Sequence, residues 1–185
     1  MKDEQRLIED VLMGKHESFE PLLRPYRQGM LNMAYRMTGN LEEAKEVCQE
    51  AVFKVFRYLK TFKKGKSFKS WLYRVVMNSA YDRLRQEARH SRTAGTSDTS
   101  FPDETHNPEK RYLELEIKEK IRASFRLLTP KEKSVFLLRD GEGMSIRETS
   151  EVLGCSSLSV RTHLSRARAK IRMEFARVYR LDRGK

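Results

Sequence analysis

The amino-acid sequence predicts an all-α protein with two small helical domains joined by a flexible linker. Apolar residues recur at three- and four-residue spacing along most of its 185 residues, a pattern typical of amphipathic helices. No segment alternates apolar and polar residues as a half-buried strand does. Residues 91–109 are instead rich in small, polar and helix-breaking residues, which favours a linker. We therefore expect domains at residues 1–90 and 110–185.

The first domain opens with short helices and continues into longer ones. Apolar spacing predicts two short helices, the second of which is interrupted at Pro25 because proline cannot continue a helix interior. A third helix is predicted to end near Gly39, since glycine is the usual residue at a helix stop. Asn40 then caps a long helix that runs to about Tyr58.

The outward side of this long helix carries carboxylates with one apolar ring beside them. A solvated face is the default interpretation of such charges. An exposed phenylalanine next to them favours a docking surface for a basic partner. The residues concerned are Glu43, Glu46, Gln49, Glu50 and Phe53.

A basic loop with an aromatic residue at each end follows, and then another helix from Lys69 to about Arg89. One face of that helix combines cations, an amide and a ring. This mixture suits single-stranded nucleic acid, because phosphates bind Lys and Arg while unstacked bases bind aromatic or amide groups. A solvated basic helix explains the pattern equally well. The candidate residues are Phe62, Lys63, Lys64, Lys66, Phe68, Arg74, Asn78, Tyr81 and Arg85.

The second domain contains the most informative stretch of the chain, Ser145–Arg172. A helix is predicted at about residues 109–128, and Thr129 followed by proline starts the next one. Ser145 caps a further helix through a capping box, and a glycine ends it. After Cys155, either of two successive serines can cap the last helix, in which apolar residues form a single stripe.

The exposed side of this last helix is basic, with no acidic residue between positions 156 and 172. Two helices joined by a tight turn, the second with a basic outer face, form a helix-turn-helix, which lays its second helix in the DNA major groove. An ordinary helical hairpin is disfavoured because so many cations repel one another without an anionic partner. The candidate duplex contacts are Ser157, Arg161, Thr162, Ser165, Arg166 and Arg168.

The net charge of +12 is unevenly distributed along the chain. Residues 1–61 are neutral, residues 62–95 carry +7, residues 96–120 carry −3 and residues 121–185 carry +8. Two basic blocks separated by an acidic spacer favour two separate contacts with nucleic acid.

Several classes of protein are disfavoured by features that the sequence lacks. No apolar run approaches the roughly 20 residues that span a bilayer, and the first ten residues are too charged for a signal peptide, so we expect a cytoplasmic protein without direct membrane insertion. No Cys/His cluster has metal-ligand spacing, and we expect neither a metal nor a cofactor. The sequence allows a disulfide between Cys48 and Cys155, but two reduced thiols are the favoured interpretation.

The ordered motifs resemble those of a bacterial RNA polymerase sigma factor of the extracytoplasmic-function group, within the sigma-70 family. The segment Leu128–Ser145 is similar to the entry to the family's region 4, and Val160–Arg168 to its recognition helix. Glu43–Glu50 is similar to the region 2 segment that docks on the polymerase clamp helices, and Phe68–Asn78 to the part that melts and reads the −10 element.

The resemblance implies a transcription initiation factor that binds core RNA polymerase, through its clamp helices and flap, and directs it to promoter DNA. The residues implied for clamp docking are Glu46, Gln49, Glu50 and Phe53. The basic loop and following helix would hold the melted −10 strand, and the helix-turn-helix would bind the −35 duplex. The resemblance also allows an anti-sigma factor as a partner, which can hold such a protein at the membrane. Val52, Phe56 and Lys45 depart from the residues that are commoner in the family.

Two rival interpretations remain open at this point. A stand-alone transcriptional regulator, with a sensor or dimerisation module in its first half, would bind duplex tightly without polymerase. A nucleic-acid enzyme is the second rival. It is disfavoured because the sequence shows no glycine-rich phosphate loop, metal cluster or nucleophile–base pair; we expect no catalytic residue.

Overall fold

The computed structural model describes residues 2–90 and 123–182, with side chains described for residues 3–89 and 123–177. Within these residues the chain is helical and contains no β-strand, which confirms the predicted fold class. The chain divides into two compact units, residues 1–99 and 100–185. The predicted linker at 91–109 and most of the helix predicted at 109–128 lie outside the described residues.

Over residues 2–90, the first unit contains five α-helices. Helices α3, α4 and α5 pack against one another, and α1 packs against α2. Pro25 lies in a short 3-10 segment, Arg24–Tyr26, between α2 and α3, which confirms the predicted interruption. The helices are α1 Lys2–Leu12, α2 Phe19–Leu23, α3 Arg27–Thr38, α4 Leu41–Tyr58 and α5 Phe68–His90.

The junction between α3 and α4 is specified by two adjacent residues. Gly39 ends α3 with a φ of +82°, a left-handed conformation that glycine adopts without a Cβ clash. The Asn40 side chain then accepts hydrogen bonds from the amides of Glu42 at 2.8 Å and Glu43 at 3.3 Å. Both signals confirm the sequence prediction. Together they fix where α4 starts and therefore which of its sides faces the core.

The core of the first unit is aliphatic and methionine-rich, with two rings at its centre. Tyr73 and Phe68 are the largest fully buried side chains among the described residues. Burial of Phe68 corrects the prediction that this ring is presented to nucleic acid. The other large residues in this core are Leu22, Leu23, Met30, Met37, Val47, Val55, Leu59, Leu72 and Met77.

The second unit contains three described helices, preceded by a helical turn at residues 123–126. Thr129 caps α6 with a capping box completed by Glu132, and a π-helical turn, Leu137–Gly141, follows it. Ser145 caps α7 with a second capping box. The helices are α6 Pro130–Phe136, α7 Ile146–Leu153 and α8 Ser157–Asp182.

Helices α7 and α8 form the predicted helix-turn-helix. Gly154 ends α7 with a φ of +61°, and Ser156 accepts a hydrogen bond from the amide of Ser159 at 3.1 Å, so Ser156 is the cap of α8. Val160, Leu164 and Ala167 are buried, and this stripe fixes the rotation of α8 about its axis. The opposite side of α8 therefore faces outward. The helix runs ten residues beyond Arg172, the end of the predicted stretch.

Candidate docking and nucleic-acid interfaces

The outer surface of α4 forms a shallow groove with an aromatic floor. Phe53 is 62% exposed and Phe56 is also exposed, although rings of this size are usually covered. Phe56 is held in place by the edges of two neighbouring rings, Phe19 at 5.1 Å and His16 at 5.3 Å between ring centroids. The residues that line the groove are Phe19, Glu46, Gln49, Glu50, Val52, Phe53 and Phe56.

This groove brings together the four residues predicted for polymerase docking. Sequence reasoning identified Phe53 but treated Phe56 only as a departure from the family pattern. Phe56 follows Phe53 by three positions, which places both rings on one side of a helix; this spacing could have identified it. An exposed apolar patch rimmed by carboxylates is typical of a protein-binding surface.

The carboxylates at the edge of the groove form ion pairs within the first unit. Glu46 pairs with Arg83 of α5 at 2.9 Å, and Glu50 pairs with Lys54 at 2.7 Å. Lys54 also reaches Asp82 of α5 at 3.4 Å. These pairs tie α4 to α5 beside the groove. Because Glu46 and Glu50 are exposed at the groove edge, their outer oxygens can still meet a basic partner.

Glu43 does not belong to this outer surface, contrary to the sequence prediction. Its side chain is only 13% exposed and lies 3.5 Å from Arg83. Burial and the neighbouring carboxylate of Glu87 raise the pKa of Glu43, and Arg83 opposes that rise. Glu43 is therefore part of the junction between α4 and α5.

The basic loop before α5 presents lysines above an aromatic cluster. Lys63 and Lys66 are exposed, whereas Lys64 forms an ion pair with Glu9 of α1 at 2.7 Å. Beneath the loop, Phe68 is 1% exposed and meets the ring of Phe62 at 5.6 Å between centroids. Phe68 thus supports the loop from below, and Phe62, which is partly exposed, is the ring of this pair that reaches the surface.

The predicted face of α5 is present and mostly open to solvent. Arg74, Asn78 and Arg85 are exposed and Tyr81 is partly buried. The spacing of these residues places them along one side of the helix. Arg85 lies 3.3 Å from Asp82, so that acid neutralises part of its charge. The face offers cations, an amide and a ring, in agreement with the predicted arrangement.

The first half of α8 presents polar and basic side chains on its outward face. Arg161, Thr162, Ser165 and Arg166 are exposed, and Ser157 is partly exposed. Within the described residues, Arg161 and Arg166 form no ion pair. The Thr162 hydroxyl donates to the Leu158 carbonyl at 3.0 Å, so its proton is engaged along the helix.

Arg168 behaves differently from the two preceding arginines. Its guanidinium donates two hydrogen bonds to Asp140 in the π-helical turn, at 2.6 Å and 2.9 Å. This bidentate pair engages the guanidinium within the second unit, and the contact of Arg168 with duplex DNA stays a prediction, which would require Arg168 to leave Asp140. Asp140 holds Arg168 against the unit's own surface.

Lys170 is also bound within the second unit. Its ammonium donates to the buried Glu132 carboxylate at 2.8 Å and to the Leu127 carbonyl at 3.1 Å. Burial alone would raise the pKa of Glu132, but the hydrogen bonds from Lys170 and from the Thr129 amide lower it overall. Glu132 thus caps α6 and attaches it to α8 through one carboxylate.

Other classes of site are not found in the described part of the chain. Within residues 2–90 and 123–182, no three His, Cys, Asp or Glu side chains are grouped as metal ligands. No described helix combines the length and the apolar character that crossing a membrane requires. Cys48 and Cys155 are free thiols, and burial raises the pKa of Cys48 to about 11.

Comparison with known proteins identifies the class to which these surfaces belong. Residues 22–90 match the family model for sigma-70 region 2, and residues 118–171 match that for sigma-70 region 4. RNA polymerase sigma factor YlaC of Bacillus subtilis is 30% identical over 86% of this chain and 93% of its own length. The RNA polymerase sigma-H factor of Pseudomonas aeruginosa is 29% identical over 92% of each chain.

Solved structures share the same helical fold. The structure of CnrH in complex with the cytosolic domain of CnrY gives a TM-score of 0.70, with 21% identity over 94% of this chain and 97% of CnrH. The sigma factor RpoE of Bartonella quintana, in complex with the anti-sigma factor NepR, gives 0.72, with 16% identity over 86% and 98%.

The chain is a transcription initiation factor of the kind that directs RNA polymerase to promoters. It belongs to the sigma-70 family of bacterial RNA polymerase sigma factors, in the extracytoplasmic-function group. Its partners are therefore core RNA polymerase and promoter DNA.

Proposed function

We propose that three surfaces of this chain divide the work of promoter recognition. The α4 groove binds core polymerase, the basic loop and the outward face of α5 hold the melted −10 strand, and the first half of α8 binds the −35 duplex. We propose the domain limits 1–90 and 110–185 for this division, with residues 91–109 as the linker. The chain acts in the cytoplasm as a regulatory factor and not as an enzyme.

The α4 groove suits the clamp helices because it combines an apolar floor with a charged edge. Phe53 and Phe56 supply exposed apolar area, which is what the centre of a protein interface needs. Glu46 and Glu50 supply the charge that sets register with a basic partner, and Gln49 lies between them on the same surface. An incoming basic side chain can share these carboxylates with Arg83 and Lys54.

The basic loop and α5 suit an unwound strand. Lys63, Lys66 and Arg74 can bind phosphates. Asn78 and Tyr81 offer an amide and a ring to bases that have left the stack. Phe62 reaches the surface at the edge of the loop, and Phe68 fixes the loop from beneath. Lys64 and Arg85 belong to the same surface. To bind a phosphate, each would leave the carboxylate with which it pairs within this chain.

The first half of α8 suits the major groove. Residues near the start of a recognition helix contact base edges, and the outward face here carries Arg161 and Arg166 free of ion pairs within the described residues. An arginine can bind guanine bidentately or bind a phosphate. Ser157 and Ser165 add short hydrogen-bonding groups on either side.

An anti-sigma factor is a further partner that we propose for this chain. The two solved structures of similar fold contain CnrY and NepR, respectively, and NepR is an anti-sigma factor. The exposed rings Phe53 and Phe56 form an apolar surface that such a protein could cover. An anti-sigma factor anchored in the membrane would hold the chain there without any membrane insertion of its own.

The observation that carries the proposal is the outward face of α8. There Arg161 and Arg166 are exposed and form no ion pair with any described acid, while the apolar stripe holds the helix in place. The test is run-off transcription of genomic DNA with purified core polymerase, with and without the full chain. We expect initiation at new, discrete sites only when the chain is present. A chain that binds duplex tightly alone and leaves the polymerase unchanged would be a stand-alone regulator.

A further inference from the structure

Leu158 is an exposed apolar residue in the first turn of α8. It is 71% exposed, and it lies one position after the first residue of the helix. Val160, Leu164 and Ala167 form the buried stripe that fixes the rotation of α8. At 100° per residue, Leu158 lies on the side opposite this stripe. The core therefore does not require an apolar residue at this position.

The surroundings of Leu158 restrict what it can contact. Arg161 and Thr162 follow it by three and four positions, so all three lie on one patch of the helix surface. No acid occurs between residues 156 and 172, so the charge of the patch suits an anionic partner. The Thr162 hydroxyl donates to the Leu158 carbonyl at 3.0 Å, and while this bond is kept its oxygen offers a base only an acceptor. The centre of the patch is apolar and its flank is cationic.

A DNA major groove offers one apolar group on its base edges, the 5-methyl group of thymine. We infer that Leu158 packs against a thymine methyl group in the −35 duplex and makes this chain prefer a thymine at that position. The inference rests on the proposed binding of α8 to the −35 element. It adds a specificity-determining residue that acts through apolar contact and not through a hydrogen bond.

Met173 provides a matched control on the same helix. It is also 71% exposed, and it lies fifteen positions after Leu158, about 22 Å along the axis at 1.5 Å per residue. Residues near the start of a recognition helix contact base edges, so Met173 is too far along α8 to read the same base pairs. Alanine at either position leaves the core untouched because neither side chain is buried.

The experiment uses the full chain assembled with core RNA polymerase and a promoter identified by run-off transcription. Each thymine of the −35 element is replaced in turn by uracil, which lacks only the methyl group, and the dissociation constant is measured for each duplex. For the wild type we expect a roughly fourfold loss of affinity at one position, the effect of exposing one methyl-sized group. Leu158→Ala should lose affinity for the thymine duplex and become insensitive to uracil there. Met173→Ala should respond as the wild type does.

Other results would overturn the inference. If Leu158→Ala responds to uracil at every position as the wild type does, Leu158 does not read a methyl group. If it weakens binding to core polymerase instead, its partner is a protein. Arg161→Ala and Arg166→Ala distinguish a failure of the Leu158 inference from a failure of the −35 assignment. If they weaken duplex binding but Leu158→Ala shows no coupling to the methyl group, only the inference fails. When none of these variants changes binding, the −35 assignment fails with it.

Discussion

Arg166 and Arg168 lie two positions apart on α8 but differ in their contacts, and this difference can be tested. Arg166 is exposed and has no ion pair within the described residues, whereas Arg168 is bound by Asp140. We expect Arg166→Ala to weaken promoter binding by ~1–3 kcal/mol if it contacts a base edge. If it contacts a phosphate, the slope of log K against log salt should fall by about 0.9.

Arg168→Ala should affect stability more than promoter binding. The Arg168 side chain is 48% exposed and the Asp140 side chain is 23% exposed, so solvent screens much of their attraction. Exposed ion pairs contribute at most about 1 kcal/mol, and a bidentate geometry places this pair near that upper value. We therefore expect Arg168→Ala to destabilise the second unit by about 1 kcal/mol and to leave promoter affinity nearly unchanged.

The assay titrates labelled promoter duplex with the complex of the full chain and core polymerase at several salt concentrations. Stability is followed by hydrogen exchange of the α6 and α8 amides in the same chain. Asp140→Asn is the matched control, because it breaks the ion pair and leaves Arg168 in place. If Arg168→Ala weakens promoter binding as much as Arg166→Ala does, with unchanged exchange, then Arg168 leaves Asp140 to bind DNA and the expected difference between the two arginines is wrong.

Four further predictions follow from the remaining contacts. Glu132→Ala should destabilise the second unit by about 2–3 kcal/mol in hydrogen exchange, because it removes a cap and a buried ion-pair partner. The pKa of Glu132 is lowered in the folded chain. The stability that its ionised carboxylate contributes should therefore be complete above the unfolded pKa of about 4.3 and lost as pH falls through the folded pKa. Charge reversal at both Glu46 and Glu50 should abolish pull-down of core polymerase at unchanged circular dichroism, and recovery of polymerase would defeat the docking assignment. Asn78→Ala should slow open-complex formation more than initial binding, and normal permanganate reactivity would count against that role. The partly buried Cys48 thiol, with a pKa of about 11, should alkylate slowly at pH 8. Its rate, followed by mass spectrometry, should still rise above pH 10, and a plateau by pH 9 would contradict this.

The helices could be predicted from the sequence because the signals that specify them are local. Asn40 and Ser145 cap helices through amides two or three residues away, and Gly39 and Gly154 end helices through their own backbone conformation. Such signals act within one turn of the helix, so they can be predicted from the sequence alone. The stripe in α8 is equally local, since its period depends only on helix geometry.

The partners of the charged residues could not be predicted in the same way. Arg168 and Asp140 are 28 positions apart, and Lys170 and Glu132 are 38 positions apart. Helical spacing shows on which side of α8 a side chain lies, but not what a second helix presents to that side. The packing of α6 against α8 decides this, and it is a tertiary property.

Phe68 illustrates the same limit for an aromatic residue. A ring beside lysines fits either a stacking platform for bases or a support beneath a loop, and both uses leave the same sequence pattern. The structure decides between them, because Phe68 meets Phe62 and Trp71 and is almost fully buried. Phe56 is the opposite case: in the sequence it is only a departure from the family pattern, whereas in the structure its exposed ring completes the groove of α4.

These contacts also change the reason for expecting DNA at α8. In the sequence, cations without an acid between residues 156 and 172 repel one another until an anionic partner arrives. Asp140 and Glu132 supply two such anions from elsewhere in the same unit, so the second half of this stretch is partly neutralised without DNA. Within the described residues, the arginines of this stretch that form no ion pair are Arg161, Arg166 and Arg172, and the first two lie around the exposed Leu158. A DNA contact at this narrow patch would supply the anionic partner that Arg161 and Arg166 do not have within the described residues, whereas a diffuse basic surface would not require one.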